Sequence, residues 1–173
     1  VSGGTRPIKA NEIVARAIGL LRARGIDAKL IVYGRRYSSN KELDSLVEEE
    51  SVSFAGQVGR EDFLDGLRRS SIFVMNSRRE PFGLSALDAL EAGTSVLLSR
   101  NCGVVGPLGL GPSDLVDDCE DPEEVARKIM EIVASPNAER IYRGLNFDLL
   151  GWQNSSLRLR NICAAAAGVE QID

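Results

Sequence analysis

The 173-residue chain contains no histidine, and that absence excludes more chemistry than any other feature of its composition. Without His there is no Ser-His-Asp triad and no imidazole general base. The three cysteines, Cys102, Cys119 and Cys163, are widely spaced and form no Cys-x-x-Cys, so neither a zinc site nor a disulfide framework is expected. A reducing, cytoplasmic setting fits that usage. Aromatic residues make up only 5% of the chain, too few for platforms that stack single-stranded bases. The net charge of −4 argues against a nucleic-acid backbone as partner. No apolar run approaches the ~20 residues that cross a bilayer. No secretory signal is recognisable, but the chain begins inside a motif, so its natural start is expected elsewhere.

What is present is a globular composition, 43% hydrophobic and 27% charged, on a length that suits one domain with a real core. Short apolar runs at Lys29–Tyr33, Val52–Ala55, Ser71–Asn76 and Ser95–Ser99 are rich in β-branched residues and end in Gly or polar breaks. Continuous apolar strands imply burial on both faces, as in a parallel sheet. Helical stretches lie between them. Residues 11–24 carry Ile13, Ala17, Leu20 and Leu21 on one stripe, and Gly25 stops that helix. Ser39 to Glu42 has capping-box spacing. Asp121-Pro-Glu-Glu124 opens another helix, whose apolar face is Val125, Ile129, Ile132 and Val133. Ser135-Pro-Asn137 ends it and starts the next, and a last helix runs from about 153 to 168. Val1-Ser2 reads as the tail of a first strand and Asp114 to Val116 as a short late one. The pattern is α/β, a Rossmann-like doubly wound parallel sheet with helices on both faces, in a single domain over 1–173.

The most informative stretch is Glu80-Pro-Phe-Gly-Leu-Ser-Ala-Leu-Asp88. It closes the strand at Ser71–Ser77 and opens a helix, placing two acids eight residues apart, the second about two turns in. Ligands of a parallel α/β sheet bind at the carboxyl ends of the strands. The helix N-terminus there offers unpaired N–H groups and partial positive charge to an anion such as phosphate. Glu80 at the mouth and Asp88 further along can each accept hydrogen bonds from hydroxyls. Hydroxyls at both ends and phosphates between them describe a sugar nucleotide.

The same stretch resembles the Glu-x7-Glu signature of retaining glycosyltransferase family 4, the glycosyl transferases group 1 family. Glu80, Phe82, Gly83 and Gly93 stand in the expected places, and Asp88 replaces the second Glu. Val1-Ser-Gly-Gly-Thr-Arg-Pro-Ile-Lys9 resembles the segment that opens the family's donor-binding half. Val52-Ser-Phe-Ala-Gly-Gln-Val58 resembles its base-binding stretch, and Phe147 to Trp152 the aromatic element before its last helix. The resemblance therefore runs in order over most of the chain.

The resemblance implies the C-terminal, donor-binding half of a GT-B fold. Glu80 would hold the donor sugar's hydroxyls, and Lys9 and Arg6 the diphosphate, as the catalytic group. The family places its Arg earlier, where this chain has Gly4. Gly3, Gly4, Gly56, Val58, Phe82, Gly83 and Leu84 would line the donor, largely through backbone groups, and Asp88 would take the ribose hydroxyls. Phe54 would help shape the base pocket, and Gly103 and Gly106 would lie near ribose and phosphate. Glu91, Arg35-Arg36 and Arg78-Arg79 read as solvated surface, and Trp152 as a packing residue.

No metal is implied, and no Asp-x-Asp stands here to hold one. The other implied partners are an acceptor sugar, lipid or protein, held by an N-terminal domain before Val1 to which the final helix crosses. Peripheral association of the full-length protein with the inner face of a membrane is compatible with this. By itself the fragment is expected to bind donor without transferring sugar. Two alternatives stay open: a degenerate, non-catalytic partner subunit of a glycosyltransferase, and another GT-B enzyme such as a sugar-nucleotide epimerase. A phosphorylase would need a cofactor lysine and greater length. Epimerase chemistry would want acid/base groups, often His, that the chain lacks.

Overall fold

The computed structural model describes residues 1–37 and 51–168. The Ser39–Glu42 capping box lies outside them, as does the side chain of Trp152. A short 3-10 turn, Pro7–Lys9, leads into α1 (Asn11–Ala23), followed by β1 (Leu30–Tyr33) and β2 (Val52–Gly56). Then come α2 (Arg60–Arg68), β3 (Ile72–Met75), α3 (Leu84–Glu91), β4 (Ser95–Ser99) and the two-residue β5 (Leu115–Val116). The chain closes with α4 (Pro122–Ala134), α5 (Ala138–Arg143), α6 (Phe147–Leu150) and α7 (Trp152–Ala166).

All strand pairs are parallel, β1 with β2 and β3–β4–β5 in that order. Side chains on β3, β4 and β5 alternate between two cores, as the two-residue period of a strand requires. Val74, Leu97 and Val116 pack with α1 and α4 on one face. Phe73, Met75, Val96, Leu98 and Leu115 pack with α2, α3 and α5 on the other. Helices thus cover both faces, as the unbroken apolar runs predicted. The first core also takes in Leu30, Val32 and Val52, so β1 and β2 share it. Val1 behaves as the expected strand tail: its amino group donates to the Ile31 carbonyl and its carbonyl accepts from the Tyr33 N–H, in parallel sense along β1.

Among the described residues the strands form two hydrogen-bonded sheets, where one was expected. A slot of about 410 Å³ lies between β1 and β3, lined by Val1, Leu30, Ile72, Val74, Ile129 and Val133 among others. Val133, predicted on the buried face of α4, is therefore 45% exposed, while Val125, Ile129 and Ile132 are buried. The start of α4 is as predicted, with the Asp121 carboxylate accepting from the Glu123 N–H at 2.9 Å. The final helix also forms, with Leu159 and Ile162 exposed on it.

The amino-terminal end of the second sheet is held by a polar cluster. Asn137 precedes α5 but its side chain does not cap that helix. It turns to β4 instead, accepting from the Val96 N–H at 3.0 Å and donating to the Val96 carbonyl at 2.9 Å. It thereby completes a ladder position that the short β5 does not reach. Asp114, 1% exposed, accepts from Asn137 (2.9 Å), Arg140 (2.6 Å) and the Gly111 N–H (2.9 Å). Burial alone would raise the Asp114 carboxyl, but the hydrogen bonds from Arg140, Asn137 and Gly111 outweigh it and hold the carboxyl below its usual range.

Asn137→Ala leaves a buried N–H and C=O of Val96 and an acceptor of Asp114 short of a partner, and should destabilise the fold by about 2–4 kcal/mol in urea titrations. A carboxyl depressed by folding contributes stability above its unfolded pKa and loses it as the pH falls through the folded value. Urea midpoints should therefore drop below about pH 4, and the drop should shrink in Asp114→Asn.

Candidate functional site

The site forms where two chain turns meet near the carboxyl ends of the strands. The first is the opening turn. Gly4 sits at φ 63° with its N–H on the Tyr33 carbonyl, and a Cβ there would come within 1.9 Å of the Arg35 carbonyl oxygen. Only glycine fits, and the reason is contact with the chain after β1 rather than approach to a ligand. The chain then folds back through the 3-10 turn, with the Lys9 N–H on the Arg6 carbonyl at 2.9 Å. This lays the Lys9 stem over Gly3, where a Cβ would meet it at 2.7 Å.

The second turn is the loop after β3. Glu80 is fixed on both sides, its N–H donating to Asn101 at 3.2 Å and its carbonyl accepting from Gly103 at 2.9 Å. Gly83, at φ 110°, then turns the chain into α3, and a Cβ there would lie 3.1 Å from the Met75 sulfur. Helix α3 starts at Leu84 without a side-chain cap; the Ala86 N–H donates to the Gly83 carbonyl at 3.0 Å, which leaves the N–H groups of Leu84 and Ser85 for another acceptor. Asp88 is the fifth helical residue, a little over one turn in rather than the predicted two.

These turns bring the two central predicted residues together. The Lys9 ammonium donates to the Glu80 carboxylate, with side chains only 17% and 13% exposed. Beside them opens a cleft of about 310 Å³, lined by Gly3, Gly56, Val58, Arg60, Phe63 and Asp88 among others. Lys9 and Glu80 adjoin this cleft through Gly3.

The remaining predicted residues divide. Gly3, Gly56, Val58 and Asp88 line the cleft. Gly83 shapes the start of α3, while Phe82 and Leu84 are exposed beside it. Arg6 is exposed and is linked to Lys9 only by its backbone carbonyl among the bonds described. Phe54 packs against the first core, outside the cleft, because it sits on a sheet face. Phe63 takes the aromatic place instead, edge-on to Tyr33 at 5.1 Å between ring centroids. Its position in the first turn of α2, just after Val58, was the available signal. Gly103 supports the Glu80 loop, since a Cβ there would lie 2.0 Å from the Pro81 carbonyl oxygen.

Three further arginines bear on the site and its surroundings. Arg60 donates to Asp88 at 2.7 Å and to Glu91 at 3.2 Å, so Asp88 is engaged from within the molecule. Arg35 is exposed, with its Nε on Gln57 at 3.0 Å. Arg78 is not solvated surface. It donates to Glu120 through Nε (2.5 Å) and Nη2 (2.8 Å), pairs with Glu12 at 2.7 Å, and donates to the Pro7 carbonyl. Its guanidinium holds the Glu120 carboxyl below the usual range. Cys102 and Cys119 are buried and Cys163 exposed, all as free thiols. Among the described residues no group of His, Cys, Asp and Glu could hold a metal ion, and no helix is long and apolar enough to cross a membrane.

Known proteins resemble this chain in sequence and in fold. The chain is 34% identical over 89 residues to mannosylfructose-phosphate synthase of Agrobacterium fabrum, covering 51% of this chain and 20% of that protein. It is 26% identical over 180 residues to D-inositol 3-phosphate glycosyltransferase of Streptomyces avermitilis, covering 95% and 39%. The chain therefore spans well under half the length of these relatives. Sucrose-phosphate synthase from Thermosynechococcus elongatus has a similar fold, with TM-score 0.71 and 23% identity over 94% of this chain and 44% of that one. Anabaena HepE in complex with UDP and glucose matches with TM-score 0.65 and 16% identity, over 81% and 39%. These likenesses agree with the Rossmann-like half of a GT-B fold. The model of the family described as glycosyl transferases group 1 matches residues 2–143, and the chain belongs to that family.

Proposed function

We propose that this chain binds the nucleoside-diphosphate sugar for an enzyme that transfers the sugar to an acceptor with retention of configuration. One observation carries the reading: Lys9 and Glu80 meet near the uncapped start of α3, next to a cleft that contains Asp88 and the Gly56–Val58 turn. Base and ribose fit the cleft, with the ribose hydroxyls on Asp88 and the base against the Gly56–Val58 backbone. The diphosphate then lies toward Lys9 and the first N–H groups of α3. The sugar falls next to Glu80.

In this structure Lys9 and Glu80 neutralise each other. A bound donor takes both partners, since its diphosphate draws the ammonium and its sugar hydroxyls donate to the released carboxylate. As the glycosidic bond breaks, negative charge grows on the departing diphosphate. Lys9 and the α3 dipole are placed to stabilise it, with Arg6 joining if its exposed side chain swings in. The sugar acceptor belongs to a further domain in this reading. The exposed apolar residues Leu159 and Ile162 of α7 are proposed to pack against it.

A second reading rests on Asp88 being held by Arg60 and Arg6 being exposed: a non-catalytic partner subunit whose donor site has decayed. Ligand-observed NMR with UDP, GDP, ADP and their sugar conjugates separates the two. One nucleotide should bind, and Lys9→Ala should weaken it about ten- to a hundredfold, the loss of a charge-assisted hydrogen bond. Glu80→Ala should weaken the sugar conjugate and spare the bare diphosphate. Silence from every nucleotide favours the partner subunit.

The Asp88 assignment has its own test. The 2′- and 3′-deoxy forms of the nucleotide that binds should be weaker ligands for the unaltered protein but equal to the parent for Asp88→Ala. Equal binding of deoxy and parent forms to the unaltered protein removes Asp88 from the ribose.

A further inference from the structure

Arg78 lies outside the cleft, yet its contacts fall on both sides of Lys9 in the chain. Its backbone N–H donates to the Ile8 carbonyl at 2.9 Å, and its guanidinium donates to the Pro7 carbonyl. Those residues immediately precede Lys9. On the other side of Lys9, Glu12 at the start of α1 pairs with Arg78 at 2.7 Å and is buried, its side chain 8% exposed. Glu80 follows Arg78 by two residues. Glu120, from the loop before α4, receives Nε and Nη2 in a fork and fixes the plane of the guanidinium.

The turn that Arg78 holds resists its own geometry. Ala10, directly after Lys9, is fully buried at φ 47°, the left-handed region that costs a residue bearing a Cβ. The Ala10 N–H bonds to the same Pro7 carbonyl that Arg78 reaches, at 3.1 Å. Released from Arg78, the turn has reason to relax, and Lys9 moves with it. A displacement of about 1 Å takes a charge-assisted hydrogen bond out of its working distance.

We propose that Arg78 is a positioning residue that sets Lys9 against Glu80, and so governs the diphosphate and sugar parts of donor binding but not the nucleoside part. The proposal rests on the donor-binding reading, and the experiment separates the two. Saturation-transfer NMR on the 173-residue chain measures UDP, GDP and ADP, each against its parent nucleoside, for the unaltered protein, Arg78→Ala, Lys9→Ala and the double variant. Arg78→Ala should weaken the diphosphate that binds by about three- to tenfold while leaving its nucleoside unchanged. In the Lys9→Ala background the same change should have no further effect, because the group being positioned is gone. Arg78→Lys should recover part of the affinity. If Arg78→Ala does not fold, Glu120→Gln loosens the fork from an exposed partner, and should shift the diphosphate in the same direction by a smaller factor.

Equal weakening of nucleoside and diphosphate, or undiminished weakening in the Lys9→Ala background, would reveal a purely structural arginine and overturn the proposal alone. So would unchanged diphosphate binding in Arg78→Ala, or in Glu120→Gln where that variant replaces it. No diphosphate bound by the unaltered protein overturns the donor reading, and this proposal with it.

Discussion

The site depends on one ion pair between residues 71 positions apart in sequence, Lys9 and Glu80. Both side chains are largely withdrawn from water, so each is the other's main compensation for lost hydration. Such a pair forms only if backbone on both sides has been fixed beforehand. On one side Gly4 packs against Arg35 and the 3-10 turn returns the chain over Gly3. On the other, Glu80 is pinned between Asn101 and Gly103. Several glycines that looked like ligand-approach positions are explained first by this packing.

The parallel sheet separates stability from chemistry by placing them at opposite ends of the strands. At the amino end, Asn137 supplies β4 with the ladder bonds that β5 is too short to give, and Asp114 ties Asn137 to Arg140. At the carboxyl ends, Tyr33, Gly56 and the Glu80 loop carry the cleft and the ion pair. A ligand can disturb the second group without touching the first. This is the physical reason that loops can carry a site on a rigid scaffold.

The elements were legible because strand burial writes itself into sequence as unbroken apolar runs, and Asp121-Pro announces a helix through local chemistry alone. The core of the site was legible because Glu80, Gly83 and Asp88 are close neighbours in one motif. What escaped depends on long-range partners. Arg78 looked like half of a surface pair because Pro7 and Glu120 lie 71 and 42 residues away. Asn137 read only as part of the Ser135-Pro-Asn137 break between two helices, and the short reach of β5 makes it a surrogate strand partner. Phe54 and Phe63 are both aromatic and both near Val58, yet one faces a core and the other the cleft. That choice belongs to the sheet's facing, which composition does not encode. The slot between β1 and β3 was equally invisible, because no single segment signals that the two parallel sheets do not join there.

In the donor reading, binding is an exchange of charge partners rather than the filling of an unpaired site. Lys9 is held by Glu80, and Asp88 by Arg60. The two exchanges differ in cost. Arg60 is 61% exposed, so water readily replaces what its carboxylate partner gave, and an exposed pair of this kind contributes little. Separating Lys9 from Glu80 strands two largely buried charges and demands substitutes for both at once. An anion alone answers the ammonium and leaves the carboxylate unmet; a sugar alone does the reverse. A nucleoside-diphosphate sugar presents phosphate and hydroxyls at adjoining positions of one molecule, so it can satisfy both charges in a single event. In that reading the pair also acts as a filter, favouring ligands that carry both chemistries together.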